Sequence, residues 1–110
     1  MFRNKALTGA AVLFAALGDD TRLALLQRLA ADGPASITVL CESFDVTRQG
    51  VTKHLAVLAA ARIITGRRAG RQHVWSLRPN GLAQAQRQLA LIAQGWDEAL
   101  RSLKSHIEAG

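Results

Sequence analysis

One stretch of twenty residues, from Val39 to Leu58, constrains the fold of this chain more than any other. It reads V-L-C-E-S-F-D-V-T-R-Q-G-V-T-K-H-L-A-V-L, the pattern of two short helices joined by a tight turn. Thr47 is suited to cap the second helix through its hydroxyl, and Val46 before it can pack on Val51. Asp45 occupies the turn, where we expect a left-handed residue, and Asp is among the few non-glycine types that tolerate this conformation. The sequence therefore predicts a helix-turn-helix.

The second helix of this stretch has one apolar and one polar face. Val51, Leu55 and Leu58 fall at i, i+4 and i+7, the spacing of a face that packs against the body of a protein. The opposite face offers donors and acceptors suited to base edges and phosphates. The candidate DNA-binding residues here are Thr47, Arg48, Gln49, Thr52, Lys53 and, at the edge, His54. An ordinary surface helix with a solvated polar face has the same pattern. The choice between that and a DNA-binding helix therefore depends on the rest of the chain.

Positive charge is concentrated in the middle of the chain, which has a formal net charge of +6 and a sequence pI near 11.1. Between Val46 and Trp96 there are eight basic residues and no Asp or Glu, whereas the two flanks carry six basic and eight acidic residues. A basic centre of this kind favours a polyanionic partner.

Length and composition bound the architecture. With 110 residues, of which 49% are hydrophobic, we predict one domain over residues 1–110 with a small core. The single cysteine, Cys41, excludes an intrachain disulfide; we expect it to be a small apolar core residue in a reduced cytoplasm. Arg3 and Lys5 before an apolar run could begin a secretory signal, but the run is short for a membrane span and also suits a first helix.

The sequence predicts one helix before the helix-turn-helix and indicates where the first helix of the helix-turn-helix begins. Asp19 or Asp20 would cap a helix that ends at Gly33-Pro34. Its buried stripe is predicted to comprise Leu23, Leu26, Leu29 and Ala30. After a short extended piece, Thr38 would cap the next helix, which is the first of the helix-turn-helix.

From Arg62 to Arg78 the periodicity changes from helical to extended. β-branched and aromatic residues flank a turn near Ala69-Gly70, which predicts a two-stranded hairpin. Arg67, Arg68 and Arg71 cluster at its tip. A hairpin directly after a helix-turn-helix is called a wing, and basic wing tips generally reach phosphates or a minor groove. A solubilising edge that discourages strand pairing is the alternative.

A long last helix follows Pro79-Asn80 and runs to about Ile107. Its apolar positions step by three and four residues, the spacing of a coiled coil, along a helix longer than a small domain would cover. Part of this stripe should therefore meet the same helix of a second subunit, with Trp96 as anchor, although an intrachain role for Trp96 stays open. The predicted dimer interface comprises Leu82, Leu89, Ile92, Trp96 and Leu103.

Three segments, within about Ala16 to Leu103, resemble the ArsR/SmtB family of winged-helix transcriptional regulators. They are A-L-G-D-D-T-R-L-A-L-L, V-T-R-Q-G-V-T-K-H-L-A-V-L and R-R-A-G-R-Q-H-V-W-S-L. The resemblance implies a mainly α fold with a small β-hairpin, in the order α-α-α-α-β-β-α, which dimerises through its first and last helices. It also implies a repressor released from its operator by an effector, with Arg48, Gln49, Thr52 and Lys53 at the groove-reading positions. Gly50 replaces the more usual Ala and could loosen the helix by up to about 1 kcal/mol.

The metal sites known in this family lack their ligands here. The thiolate positions of the arsenic- and cadmium-type sites fall on Ser36 and Thr38, which cannot supply soft sulfur. If His106 were the second His of the zinc-type site, its other positions would be Ala93, Gly95 and Ala109. We therefore expect no metal and no cofactor, and the effector stays unknown.

Two other classes of function fit less well. A winged-helix module for protein contact would expose an apolar wing or recognition face, and here those positions hold arginines. An enzyme would need a nucleophile with its base and oxyanion donors, a carboxylate pair or a metal triad, and none appears. We therefore predict a DNA-binding transcriptional regulator without a membrane segment. It would be a homodimeric repressor on an inverted-repeat operator, bound through the helix at residues 47–60 and the wing at residues 62–78.

Overall fold

The computed structural model describes the backbone of residues 5–109 and the side chains of residues 9–109. The helices are α1 (Lys5–Leu17), α2 (Asp20–Asp32), α3 (Ile37–Glu42), α4 (Arg48–Ala60) and α5 (Ala83–Ala109), and the strands are β1 (Ala35–Ser36), β2 (Ile64–Ala69) and β3 (Gln72–Leu77). This architecture confirms the predicted mainly α fold with a β-hairpin, and the short extended piece expected at Ser36-Ile37 is β1, one residue earlier.

The core forms where α2, α3, α4 and the start of β2 meet. Its largest fully buried side chains are Leu25, Leu40, Val51, Leu55, Leu58, Ile63 and Ile64. Three of them lie on α4, which confirms the apolar face predicted for that helix. Because full burial of an aliphatic side chain is worth roughly 1.5–3 kcal/mol, these three residues stabilise one rotation of α4 about its axis by several kcal/mol.

The buried face of α2 differs from the predicted one. Leu25 and Leu29 are buried, whereas Leu23 is 43% exposed and Ala30 is exposed, so the expectation is wrong at both of the latter positions. Leucines at four of seven positions allow two overlapping stripes, and packing against α4 selects the one through Leu25. The displaced Leu23 lines an apolar cleft of about 610 Å³, together with Leu77 at the end of β3.

Hydroxyl side chains cap both helices of the helix-turn-helix. Thr47 Oγ1 accepts the backbone N–H of Gly50 at 3.0 Å, as predicted. Ser36 Oγ accepts the N–H of Val39 at 3.3 Å, so the cap of α3 lies two residues before the predicted Thr38.

The left-handed residue of this region lies after α4 and not before it. Arg62 has a φ of 62°. Its N–H donates to the carbonyl of Ala59, and the N–H of Ile63 donates to that of Leu58, both at 3.0 Å, which is the pair of bonds that closes a helix through a left-handed residue. Asp45 has no positive φ, so the expectation for it is wrong.

The three strands form one antiparallel sheet in the order β1-β3-β2. Ala69 pairs with Gln72, which leaves Gly70 and Arg71 as a two-residue loop. Gly70 has a φ of 64°, a conformation that glycine adopts without steric cost and that such loops require. The turn therefore lies where it was predicted, and β1 ties the hairpin to the start of α3.

The last helix is anchored at its start and uncovered along most of its length. The N–H of Arg78 donates to the carbonyl of Ile63 at 3.0 Å, and a Cβ atom added to Gly81 would lie 2.9 Å from that carbonyl oxygen. Ala85 is buried beside α1, but every residue from 89 to 109 is exposed. No helix within residues 5–109 is long and apolar enough to cross a membrane.

Asp19 caps α2, as one of the two predicted alternatives. Its Oδ2 accepts the backbone N–H of Arg22 at 3.0 Å. This hydrogen bond, with the charges of the Arg22 guanidinium and of His54, holds the pKa of Asp19 below its usual value, although partial desolvation opposes the shift.

The substitution Asp19→Asn tests the lowered pKa of Asp19, since Asn caps helices about as well as Asp but carries no charge. A pKa that is lower in the folded than in the unfolded chain stabilises the fold above the unfolded pKa, and this stabilisation is lost as the pH falls through the folded pKa. We therefore expect the native protein to be the more stable one near neutral pH, by a margin that shrinks below about pH 4. Urea unfolding of both proteins along a pH series measures the margin, and a margin that does not change with pH would contradict the assignment.

Candidate nucleic-acid interface

Four of the predicted DNA-binding side chains lie together on the outer face of α4. Because Val51 and Leu55 define the buried face of α4, the side chains on the opposite face point away from the core. The exposed set is Arg48, Gln49, Thr52 and Lys53. Within the described residues, Gln49 and Lys53 form no hydrogen bond or ion pair, so their polar groups are available to a ligand.

Three other polar groups near the start of α4 already have partners. Thr52 Oγ1 donates to the carbonyl of Arg48 at 2.8 Å, and Arg48 Nη1 donates to Thr38 Oγ1 at 3.4 Å. The Thr47 oxygen is engaged as the cap of the helix. The main role of Thr47 is therefore to cap and position α4. The exposed guanidinium of Arg48 is held at the junction of α3 and α4.

His54 does not share the outer face of α4 with the other candidates. Its side chain is 22% exposed and faces the start of α2. The Nδ1 atom lies 3.2 Å from Arg22 Nη1 and 3.7 Å from Asp19 Oδ2. The position of His54 on the helix was foreseen, but its contacts lie inside the protein.

Arg22 is a residue that the sequence analysis did not single out. Its Nε donates to the carbonyl of Ala16 at 2.6 Å, and its Nη2 donates to that of Ala15 at 3.2 Å. One guanidinium therefore contacts the last turn of α1 and, through His54, the side of α4. Arg22 lies in the segment A-L-G-D-D-T-R-L-A-L-L that carries the family resemblance, but no local pattern indicates its contact with His54.

The predicted wing arginines are all exposed, and the pairing of the strands distributes them. Arg67 pairs with Val74 and Arg68 pairs with His73, so these consecutive arginines point to opposite faces of the hairpin. Arg71 lies in the two-residue loop. No acidic side chain within residues 9–109 forms an ion pair with any of the three.

A ring stack stiffens the hairpin behind these arginines. The rings of His73 and Trp75 lie with centroids 4.6 Å apart and planes 16° from parallel, and Trp75 also packs against the core. A Cβ atom at Gly66, which pairs with Trp75, would come within 3.0 Å of both rings. Glycine at this position therefore lets the stack lie against β2 and connects the wing firmly to the body.

The start of α4 and the tip of the wing share one surface. A cleft of about 200 Å³ between them is lined by Arg48 from α4, Thr38 from α3 and Arg71 from the loop. Two arginines from separate elements thus border the same cleft. Such a surface offers positive charge and multiple N–H donors, and suits a phosphate backbone beside exposed base edges.

The predicted dimer residues of the last helix are accessible in the single chain. Trp96 is 67% exposed, the same as Ile107 near the end of the helix. The others are also exposed, namely Leu82 just before α5 and Leu89, Ile92 and Leu103 on it. In the part of the chain that the structure describes, no three His, Cys, Asp or Glu side chains are grouped so as to hold a metal ion.

Comparison with known proteins agrees with this geometry. Residues 17–67 match the family model described as a helix-turn-helix domain. The HTH-type transcriptional regulator Rv2034 of Mycobacterium tuberculosis is 37% identical over 94 residues, which cover 86% of this chain and 84% of that protein. The arsenical resistance operon repressor of Escherichia coli is 29% identical over 84 residues, which cover 76% of this chain and 69% of that protein.

A solved structure shows the same likeness. The ArsR-like transcriptional regulator from Rhodococcus sp. RHA1 superposes with a TM-score of 0.81 at 29% identity, covering 93% of this chain and 95% of that one. Since these relatives are regulators with a DNA-binding fold, the prediction that the chain is not an enzyme is confirmed. The chain belongs to the ArsR family of winged helix-turn-helix transcriptional regulators.

Proposed function

We propose that this regulator is a homodimeric repressor that reads an inverted-repeat operator through α4 and holds the flanking backbone with the wing. The observation that carries the proposal is the joint surface of Arg48 and Arg71, in a chain without acidic residues between Val46 and Trp96. A positive surface of this kind attracts DNA of any sequence, and base contacts from α4 would add the discrimination.

The outer face of α4 divides into base-reading and backbone-holding groups. Gln49 can pair through two hydrogen bonds with adenine and Arg48 with guanine, each contributing about 1–3 kcal/mol of discrimination. The Thr52 hydroxyl is bonded to the helix backbone, which leaves the Thr52 methyl group to touch a thymine methyl. Lys53 suits a phosphate, since its ammonium acts as a point charge.

The uncovered face of α5 supports the dimer. Two copies packed antiparallel about Trp96 would place Leu89 of one helix opposite Leu103 of the other, because each lies seven residues from the tryptophan. This arrangement is self-complementary, as a two-fold interface must be. It covers large apolar side chains that a single chain leaves in water.

A two-fold dimer would present two copies of α4 to successive major grooves on one side of a duplex. The operator should then be an imperfect inverted repeat with half-site centres about one helical turn apart, or a multiple of that. The repressor role rests on the relative named as an operon repressor.

The substitution Trp96→Asp tests the assembly, because a buried charge at the two-fold axis should prevent pairing of the helices. We expect monomers in sedimentation at micromolar concentration, with the circular-dichroism spectrum of the winged domain retained. Gln94→Asp adds the same charge on the opposite side of α5 and should leave the dimer intact. A native protein that sediments as a monomer would overturn the proposed assembly.

The substitution Gln49→Ala tests base reading. It should relax the preference at one symmetric pair of operator positions and leave binding to random duplex nearly unchanged, because Gln49 carries no charge. A binding selection on randomised DNA, with native protein and variant in parallel, measures this preference. Gln94→Ala is the matched control on α5. If the native protein and Gln49→Ala select the same motif with the same stringency, Gln49 does not read a base.

The substitution Arg68→Ala tests the wing. Loss of one phosphate contact should weaken binding to operator and random duplex by similar factors and reduce the salt slope by about one unit. Titrations at several salt concentrations measure both quantities. Arg101→Ala removes the same charge from the exposed part of α5 and should change the slope much less. Loss of discrimination at an unchanged slope would instead show that Arg68 reads sequence.

A further inference from the structure

We propose that Arg22, which lies on α2 and not on the DNA-facing surface, is a positioning residue for operator discrimination. It would orient α4 by joining His54 to the last turn of α1. The inference rests on the proposed function of α4 in reading DNA. Arg22 itself would not contact DNA, so its role would not be apparent from the contacts between protein and DNA.

The geometry gives one guanidinium three partners on two helices. Nε and Nη2 donate to the carbonyls of Ala16 and Ala15, and Nη1 lies 3.2 Å from His54 Nδ1. The last carbonyls of a helix lack the usual partner four residues on, so the bond to Ala16 satisfies an acceptor that α1 leaves open. The carbonyl of Ala15 accepts a second bond, since the N–H of Gly18 also donates to it at 3.2 Å. Arginine suits this role because its donors are fixed in a rigid plane, and aligning two of them on α1 fixes the direction of the third.

The contact to His54 has a defined chemistry. Because the guanidinium carries donors and no acceptor, Nδ1 must be the unprotonated nitrogen of the ring when it accepts from Arg22. Asp19 Oδ2, at 3.7 Å, is too distant to replace this bond. His54 thus contributes to this contact through a single acceptor atom, Nδ1, which is directed towards α2.

This bond restrains small movements of α4 about the rotation that the buried face selects. The buried face of α4 is aliphatic, and apolar packing has no directional preference of its own. A hydrogen bond at His54 adds a directional constraint on the side of the helix, one and two residues after Lys53 and Thr52. A change at His54 that shifts α4 would therefore displace the groups proposed to reach bases.

The experiment compares Arg22→Lys, His54→Leu and His54→Asn with the native protein. Lysine keeps the charge but cannot reach three partners from a fixed plane. Leucine removes the acceptor while favouring a helix more than histidine does, and asparagine offers an oxygen near the position of Nδ1 at a helix propensity close to that of histidine. Arg28→Ala is the control, since Arg28 lies on the same helix and pairs on the surface with Asp32 at 2.9 Å.

For each protein, affinities for the operator selected by the native chain and for random duplex are measured, with the salt slope, the sedimentation and the melting temperature. We expect Arg22→Lys and His54→Leu to lower the ratio of specific to random affinity by about tenfold or more, because a displaced α4 would lose a base contact of that worth. The salt slope and the dimer should be unchanged. His54→Asn should retain most of the ratio, and Arg28→Ala all of it.

The outcomes separate this inference from the proposed function. Unchanged discrimination in Arg22→Lys and His54→Leu would overturn it, and so would an equal loss in His54→Asn and His54→Leu, because the acceptor atom would then not be what matters. If Arg22→Lys fails to fold, the two His54 variants decide the question. A native protein without any preference for a DNA sequence would instead refute the proposed function.

Discussion

The burial of one face of α4 is the constraint on which the rest of the structure depends. Val51, Leu55 and Leu58 are fully buried, and turning the helix about its axis would bring them into water. The rotation that buries them also directs the exposed polar residues of α4 away from the core, so the same packing stabilises the domain and presents the surface that we propose reads DNA. Stability and recognition therefore depend on the same rotation.

The regions around α4 show how the fold adds direction to this packing. At its start, Thr47 and Gly50 form the cap. At its end, Arg62 adopts a left-handed conformation that costs an arginine about 1–2 kcal/mol, and Ile63 then enters the core directly. Beside the helix, the Arg22 guanidinium supplies a hydrogen bond that apolar packing cannot replace. Hydrogen bonds of defined geometry thus surround a core that by itself would tolerate small movements.

Local features of the sequence were sufficient to predict most of the fold. The cap and apolar stripe of α4, the loop at Gly70 and the course of α5 follow from short-range rules, and the structure confirms them. The buried stripe of α2 was mispredicted, because Leu23 and Leu25 satisfy helical periodicity equally well and the choice depends on where α4 lies. Long-range contact also decides the cap of α3, since Ser36 belongs to a strand that pairs with the hairpin.

In the candidate site, too, local features could be predicted from the sequence and long-range contacts could not. Exposure of the polar residues on α4 and of the arginines in the hairpin could be predicted from period and composition. The inward contact of His54 could not, because its partner Arg22 is 32 residues away in the sequence and no local pattern joins the two. The cleft between α4 and the loop at Arg71 likewise exists only once the sheet has brought the hairpin back towards α3.

The anchor of α5 has a consequence for the kind of DNA site that such a dimer accepts. The N–H of Arg78 donates to the carbonyl of Ile63, three residues after α4, and the chain at Gly81 passes close to the same carbonyl as it approaches α5. In a dimer joined through α5, the distance between the two reading helices is then a property of the folded chain, with no flexible linker to adjust it. One base pair inserted between half-sites moves the second by about 3.4 Å and turns it by about a tenth of a helical turn. A rigid anchor cannot follow that displacement, so under the proposed function the protein would select operator spacing as well as operator sequence.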